Sequence, residues 1–241
     1  MGPPLRPPPS VVAAMSEWIV ARSGTVLLMG VTPELAALGQ RLVAVDRHRA
    51  MVDRHWPGDG AGRRVVIADW RNLPLADASI DSVVGDGCMT VLPSSDRARV
   101  FAELSRVLRP GGRVVLRLFC APDRAESVEQ VVADAMQGRI ANFWAFRWRL
   151  MMAAAALHPG HDLAVTAGWH AFDAAVSDRD ALARATGWTR ALIDTMDRYR
   201  DSFDVYCFAP AETGYASVPE GFSSLRLAPT RGYDLAERCP L

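Results

Sequence analysis

The chain predicts an α/β protein: a doubly wound, mostly parallel sheet with helices on both faces. Three observations carry this. Short apolar runs recur at Thr25–Met29 (TVLLM), Leu42–Val45 (LVAV), Arg64–Ala68 (RVVIA) and Val114–Phe119 (VVLRLF). Helical patterns or turn residues separate them. The first three runs stop at Gly30, Asp46 and Asp69. Strands apolar along their whole length belong to parallel sheets buried on both faces. The 241 residues, half of them apolar, are enough for one large domain with a full core.

Taken in order, Ser10 is placed to cap a helix running to about Arg22, with Val11, Met15, Trp18 and Ile19 at helical spacing. The first strand ends at the Gly30 turn, and Pro33 suits the first turn of a following helix. A short helix is expected over His48–Arg54, after the second strand. Leu73–Ser79 reads as a loop, and Asp81–Val84 opens a fourth strand that ends near Gly85-Asp86-Gly87. Ser94 or Ser95 would cap a helix to Leu108, with Val100, Phe101, Leu104, Val107 and Leu108 facing inward. Pro110-Gly111-Gly112 is a turn before the fifth strand.

After that strand the alternation stops. Ala125–Leu157 reads as two helices broken near Gly138, and Ser177–Arg200 as two more, broken at Gly187. Phe222–Leu227 and Tyr233–Leu235, joined by a turn at Pro229–Gly232, predict an antiparallel C-terminal strand pair. The expected organisation is an N-terminal helical arm (1–24), a core (25–124 and 203–241) and a helical lid insertion (125–202). Insertions of this length in α/β enzymes commonly cover the ligand cleft.

Composition narrows the function. The 27 basic and 27 acidic side chains balance, which argues against nucleic acid as a partner and against a polybasic membrane anchor. Every basic side chain apart from histidine is Arg, so Schiff-base and P-loop lysine chemistry is excluded. Cys88, Cys120, Cys207 and Cys239 form no C-x-x-C pair, and His158 and His161 lie in a His-Pro-Gly-His turn without further ligands, so no metal is expected. Scattered single cysteines suit a reducing compartment. Met1–Ser10 is proline-rich and lacks a signal-peptide apolar core, and Leu150–Leu157 is too short to span a bilayer. A soluble, cytoplasmic protein is expected.

In open parallel sheets, ligands bind outside the carboxyl ends of the strands. Those ends carry Gly30, Asp46, Asp69 and Asp86. A single strand-end Asp is commonly a turn former; a set of three points to a ligand.

Two longer stretches resemble a known family. Ala68–Asp81 (ADWRNLPLADASID) is similar to D-x-x-x-L-P-F-x-D-x-S-F-D, and Phe101–Leu116 (FAELSRVLRPGGRVVL) to E-x-x-R-V-L-K-P-G-G-x-x-x-I. In this order and spacing they resemble class I S-adenosylmethionine (SAM)-dependent methyltransferases over roughly Thr25–Phe119. The family's G-x-G-x-G loop is here Gly30-Val31-Thr32-Pro33-Glu34, with Thr32 and Glu34 in place of two glycines. The resemblance implies SAM as cofactor and S-adenosylhomocysteine as product. It implies that Gly30 and Thr32 approach the cofactor, that Asp46 accepts from the ribose hydroxyls beside Arg47, and that Met51 lies against the adenine. Asp69 would take the adenine amine, Trp70 would offer a backbone donor and a ring wall, and Asp86 and Gly87 would lie at the methionine end. Asp81 is expected to be structural. Glu34 would either meet the cofactor's ammonium or cap a helix, with the helix end the favoured role.

Methyl transfer from a sulfonium needs alignment more than covalent help, so catalytic residues are hard to read. His170 and Tyr199 are the candidates. In the insertion, Asn142, Trp144, Arg147, Trp148 and Ser202 are candidates for the acceptor pocket, with Arg147 holding a carboxylate. Core packing is the competing role for each aromatic residue there. The function expected is methylation of a small molecule, by a protein for which a homodimer is compatible. Two alternatives stay open. One is a SAM-consuming cyclase of the azetidine-2-carboxylate-synthase kind, which releases methylthioadenosine. The other is a non-catalytic binding protein with a degenerate methyltransferase fold.

Overall fold

The computed structural model describes residues 2–20, 24–122, 124–215 and 217–241. Five parallel strands form the main sheet: β1 (Thr25–Met29), β2 (Arg41–Asp46), β3 (Arg63–Ile67), β4 (Ile80–Asp86) and β5 (Leu108–Arg117). Their order is β3-β2-β1-β4-β5. The chain therefore winds outward from β1 to β3, then returns to the other side of β1. The direction of winding reverses between β1 and β4, which makes the cleft at their carboxyl ends the expected ligand position.

Register aligns those ends. Met29 pairs with Val45 on one side and Gly85 on the other, and Gly85 pairs with Leu116. One residue further along, Asp46, Gly30, Asp86 and Arg117 stand in a row across β2, β1, β4 and β5.

Period-two alternation splits each strand between two cores. Leu27, Met29, Val43 and Val83 pack under Val100, Leu104 and Val107 of α3 (Arg97–Val107). Val26, Leu28, Ala44 and Val84 pack under Val11 and Met15 of α1 (Pro9–Trp18), with Val52 of α2 (Arg49–His55). Both faces are covered, as the apolar strands require.

Several local expectations are corrected. The helix α1 begins at Pro9, with Pro8 as its cap and no side-chain capping bond, and it ends at Trp18; Arg22 lies outside the described residues. The helix expected after Gly30 is a single 3-10 turn, Pro33–Leu35. Gly39 turns the chain back there with φ +92°, where a Cβ would stand 2.6 Å from Val26 Cγ2. Ser94 opens a 3-10 turn before α3, and its hydroxyl donates to Asp162 (2.7 Å) rather than capping the helix. Pro110-Gly111-Gly112 lies inside the span of β5 but bulges out of the ladder, since Ile80 pairs with Leu108 and Ser82 with Arg113.

An antiparallel strand pair is present, but not at the C-terminus. It joins β6 (Asp162–Ala164) to β7 (Val205–Cys207). The closing segment instead runs irregularly beside the end of β5. Leu118 N–H donates to the Pro240 carbonyl and Cys120 N–H to that of Arg238. Pro240 has no N–H to return, and Leu235 turns the chain at φ +68°, so no regular ladder forms.

The helices between β5 and β7 share a third core. They are α4 (Val128–Met136), α5 (Phe143–Ala155), α6 (Val165–Ala175), α7 (Arg179–Thr186) and α8 (Arg190–Ile193). Gly138 (φ +71°) and Gly187 (φ +73°) mark the two expected breaks. The helix α5 is apolar on nearly every side and is buried along most of its length, as such helices must be. Its Phe146 and Leu150 share a core with Phe172, Leu182, Trp188 and Phe208. Among the described residues, no helix is long and apolar enough to cross a membrane.

Candidate functional site at the strand ends

Gly30 adopts φ +86°, a conformation costly to any residue with a Cβ. Its N–H donates to the Val45 carbonyl (2.8 Å), tying the turn to β2. A Cβ placed on it would lie 3.9 Å from both Asp46 Oδ2 and Trp70 Cζ2. Backbone, carboxylate and indole thus converge on one point.

Asp46 is only 8% exposed. Its Oδ1 accepts from the His48 N–H at 2.8 Å, and among the described residues no donor bonds Oδ2. Burial raises its pKa, against the lowering effects of the His48 N–H and of His48 and Arg47 nearby. A buried carboxylate with one oxygen free is an acceptor awaiting a donor. Trp70 is fixed by a 2.6 Å bond from its indole N–H to the Val45 carbonyl. Arg47 is exposed and donates to His48 Nε2, and Met51 on α2 is 44% exposed. Thr32 precedes the 3-10 turn, and its carbonyl accepts from Leu35 N–H.

The other two strand-end carboxylates are already engaged. Asp69 accepts from Arg71 Nε and Nη2 at 2.9 and 2.6 Å, and Arg71 also reaches Asp96 at 2.8 Å. The Arg71 hydrogen bonds hold the Asp69 carboxyl down at about 2. Asp86 accepts from Arg117 Nε and Nη2 at 2.5 and 3.0 Å. Arg117 is 0% exposed; burial alone would lower its pKa, but the Asp86 carboxylate outweighs this and raises it. Gly87 (φ +64°) follows, and a Cβ there would stand 2.4 Å from Phe119 Cε2.

The N-terminal segment lies against this row. Arg117 Nη2 donates to the Pro4 carbonyl at 2.7 Å, and Arg6 pairs with Glu34 Oε1 at 2.8 Å. Glu34 caps no helix, because only the 3-10 turn forms there. Its Oε2 is buried without a partner, a second acceptor awaiting a donor. Asp81 bonds Thr25 N–H (2.7 Å) and Arg109 (2.7 Å), ordinary strand-entry work.

The insertion's candidates divide. Asn142 caps α5 through Ala145 N–H and donates to Asp234. Ser202 bonds Asp204, and His170 is exposed beside Trp169. Trp144, Arg147, Trp148 and Tyr199 come together: the Arg147 guanidinium lies 5.0, 5.9 and 5.4 Å from the Trp144, Trp148 and Tyr199 ring centres.

Sequence reasoning missed Arg117, Arg71, Phe119 and Tyr206. Arg117 had a readable signal, a lone charge in the apolar run VVLRLF, which a buried strand can hold only with a counter-ion.

Residues 29–116 match the family model described as "Methyltransferase domain". Over this segment the chain is similar to methyltransferase domains. Among curated relatives, the dimethylglycine N-methyltransferase of Parasynechococcus marenigrum is 36% identical over 43% of this chain and 35% of its own length. The malonyl-[acyl-carrier protein] O-methyltransferase of Xylella fastidiosa is 32% identical over 39% of this chain and 32% of its own. The chain thus spans about a third of these relatives. A SAM-dependent methyltransferase structure from Aquifex aeolicus has 21% identity and a TM-score of 0.41, over 51% of this chain and 69% of that one. In this segment, the free oxygens of Asp46 and Glu34 fit a ligand bearing hydroxyl and ammonium donors, as SAM does.

Proposed function

We propose that the chain methylates a small-molecule acceptor with SAM. The observation that carries this is the Asp46 carboxylate: buried, one oxygen free, and aimed at the left-handed Gly30 turn where the sheet's winding reverses. A charged acceptor there would take the ribose hydroxyls in strong, directional bonds. Gly30 admits the ligand close to the backbone, Trp70 walls it, and Met51 offers an adaptable apolar surface to the adenine. Thr32 supplies a hydroxyl where the family has glycine, and Glu34 Oε2 would receive the ammonium. Gly87 keeps the end of β4 clear beside Phe119.

Bound SAM supplies a methyl group already activated on a sulfonium. The protein's part is to align the acceptor and exclude water. Tyr199 and His170 are the candidates for moving the acceptor's proton, and Tyr199 stands nearer the other candidate side chains. The insertion, residues 125–202, would cover the acceptor. Relatives named for dimethylglycine and for ubiquinone/menaquinone biosynthesis support a small acceptor.

One feature favours a second reading, a binding protein without catalysis: Asp86 is fully engaged by Arg117, and the N-terminal segment is tied to the same arginine. Incubation with SAM followed by mass spectrometry separates the readings. Intact SAM that yields S-adenosylhomocysteine only when small acceptors are added supports the methyltransferase. Methylthioadenosine formed from SAM alone would replace it with the cyclase. No turnover with any acceptor, despite bound cofactor, would favour the binding protein.

A further inference from the structure

Arg147 is 9% exposed and sits on α5, which is buried along most of its length. The other buried arginine, Arg117, has an acid in Asp86, and among the part-buried ones Arg149 has Glu126 and Asp134, Arg179 has Asp194 and Asp197, and Arg238 has Glu126. Arg147 forms no ion pair among the described residues. Its surroundings are aromatic faces, those of Trp144, Trp148 and Tyr199, and its Nε is buried without a partner. A guanidinium does not shed its charge in proteins. Aromatic faces soften its burial but accept none of its five N–H bonds with carboxylate strength.

The neighbouring groups share the same deficit. Trp148 Nε1 is buried and unpartnered. The Tyr206 and Tyr199 hydroxyls lie 3.3 Å apart, so Tyr206 can donate to Tyr199 and leave the Tyr199 proton for another acceptor. Burial holds Tyr206 protonated. One fixed cation and two unused donors thus share an aromatic enclosure without an acceptor.

The enclosure adjoins the strand-end site. Trp148 packs edge-on against Phe119 with ring centres 5.3 Å apart, and Phe119 is the ring that a Cβ on Gly87 would strike. One aromatic layer separates Arg147's cage from the end of β4.

We propose that Arg147, with Trp148 Nε1 and the Tyr199 hydroxyl, binds the carboxylate of the methyl acceptor, so that the substrate is a monoanionic small molecule with an apolar body. This deepens the methyltransferase reading and rests on it for the word acceptor; the anion site itself does not. A carboxylate matches the guanidinium fork with two parallel bonds. A phosphate dianion would leave a net negative charge in an enclosure that holds a single cation.

The test uses hexanoate, its neutral counterpart hexanamide and inorganic phosphate, titrated into the full chain without SAM and followed by calorimetry and tryptophan fluorescence. Hexanoate binding at least tenfold tighter than hexanamide or phosphate is expected, with loss of that preference in Arg147→Met. Arg147→Lys keeps the charge without the fork and should bind hexanoate at least several-fold more weakly. It provides the comparison if Arg147→Met does not fold. Tighter phosphate binding would reassign the site to phosphorylated ligands. Equal binding of hexanoate and hexanamide, or hexanoate binding unchanged in the folded variants, would overturn the proposal. Hexanoate binding by a protein that fails to bind S-adenosylhomocysteine would leave the anion site standing and remove the methyltransferase reading.

Discussion

Asp86 and Arg117 are register partners on β4 and β5, and their side chains close a 2.5 Å ion pair directly above the sheet, with the arginine wholly buried. The pair joins three parts of the chain, because Arg117 also donates to the Pro4 carbonyl and the Tyr233 hydroxyl. Removing one member of a buried pair strands the other. Arg117→Met should therefore cost about 3–5 kcal/mol in urea unfolding. The double variant Asp86→Leu/Arg117→Met should recover much of that loss. A cost below about 1 kcal/mol for the single change would mean that the pair is open to water.

Asp46 is held against its own burial. Its folded pKa is raised, so its contribution to stability is complete below the ordinary carboxylate pKa and is lost as pH rises through the raised value. Asp46→Asn removes that loss. The variant should be at least as stable as the parent at neutral pH, and any advantage should vanish in acid. Unfolding curves at pH 7 and pH 4 check this. A variant markedly less stable at neutral pH would show that the carboxylate is structural.

Asp69 behaves in the opposite sense. Arg71 holds its carboxyl at about 2, so the pair's contribution is present above the ordinary pKa and fades as pH falls towards 2. In Arg71→Ala the Asp69 pKa should return to roughly 3.9. Carboxyl-carbon NMR titration reads this directly, and an unmoved pKa would assign the lowering to another group.

Gly87 cannot carry a side chain without displacing Phe119, whose ring would lie 2.4 Å from the new Cβ. Gly87→Ala adds the cost of its left-handed backbone. It should destabilise the fold by roughly 1–3 kcal/mol and disturb the ring stack from Phe119 to Trp148. Thermal unfolding and tryptophan emission would show both effects; a neutral substitution would contradict the close packing.

The sheet was legible because its signals are local. Apolar runs closed by Gly or Asp mark β1 to β3, the Gly85-Asp86-Gly87 stretch marks the end of β4, and these ends form the row that includes Gly30, Asp46 and Asp86. The helix breaks at Gly138 and Gly187 were legible for the same reason, since a left-handed turn favours glycine. Pairing between distant segments was not. Nothing beside Asp86 in sequence says that Arg117 already holds it, or beside Arg71 that it also reaches Asp96, and β6 is too short, at Asp162–Ala164, to stand out from a loop. The C-terminal run Phe222–Leu227 has the composition of a strand but no edge to join, because carbonyls of the last residues, Arg238 and Pro240, take the N–H groups of Cys120 and Leu118. The cluster around Arg147 was half visible: Trp144, Arg147 and Trp148 stand together in the sequence, but that no acid among the described residues pairs with Arg147 required the fold.

The most direct test of the account is calorimetric titration of the full chain and of Asp46→Ala with S-adenosylhomocysteine. Saturable binding by the parent is predicted, weakened in the folded variant by about 1.5–3 kcal/mol, the worth of a hydrogen bond to a charged group. Equal affinity in the two proteins, or no binding by the parent, would contradict the assignment of the strand-end row as the cofactor site.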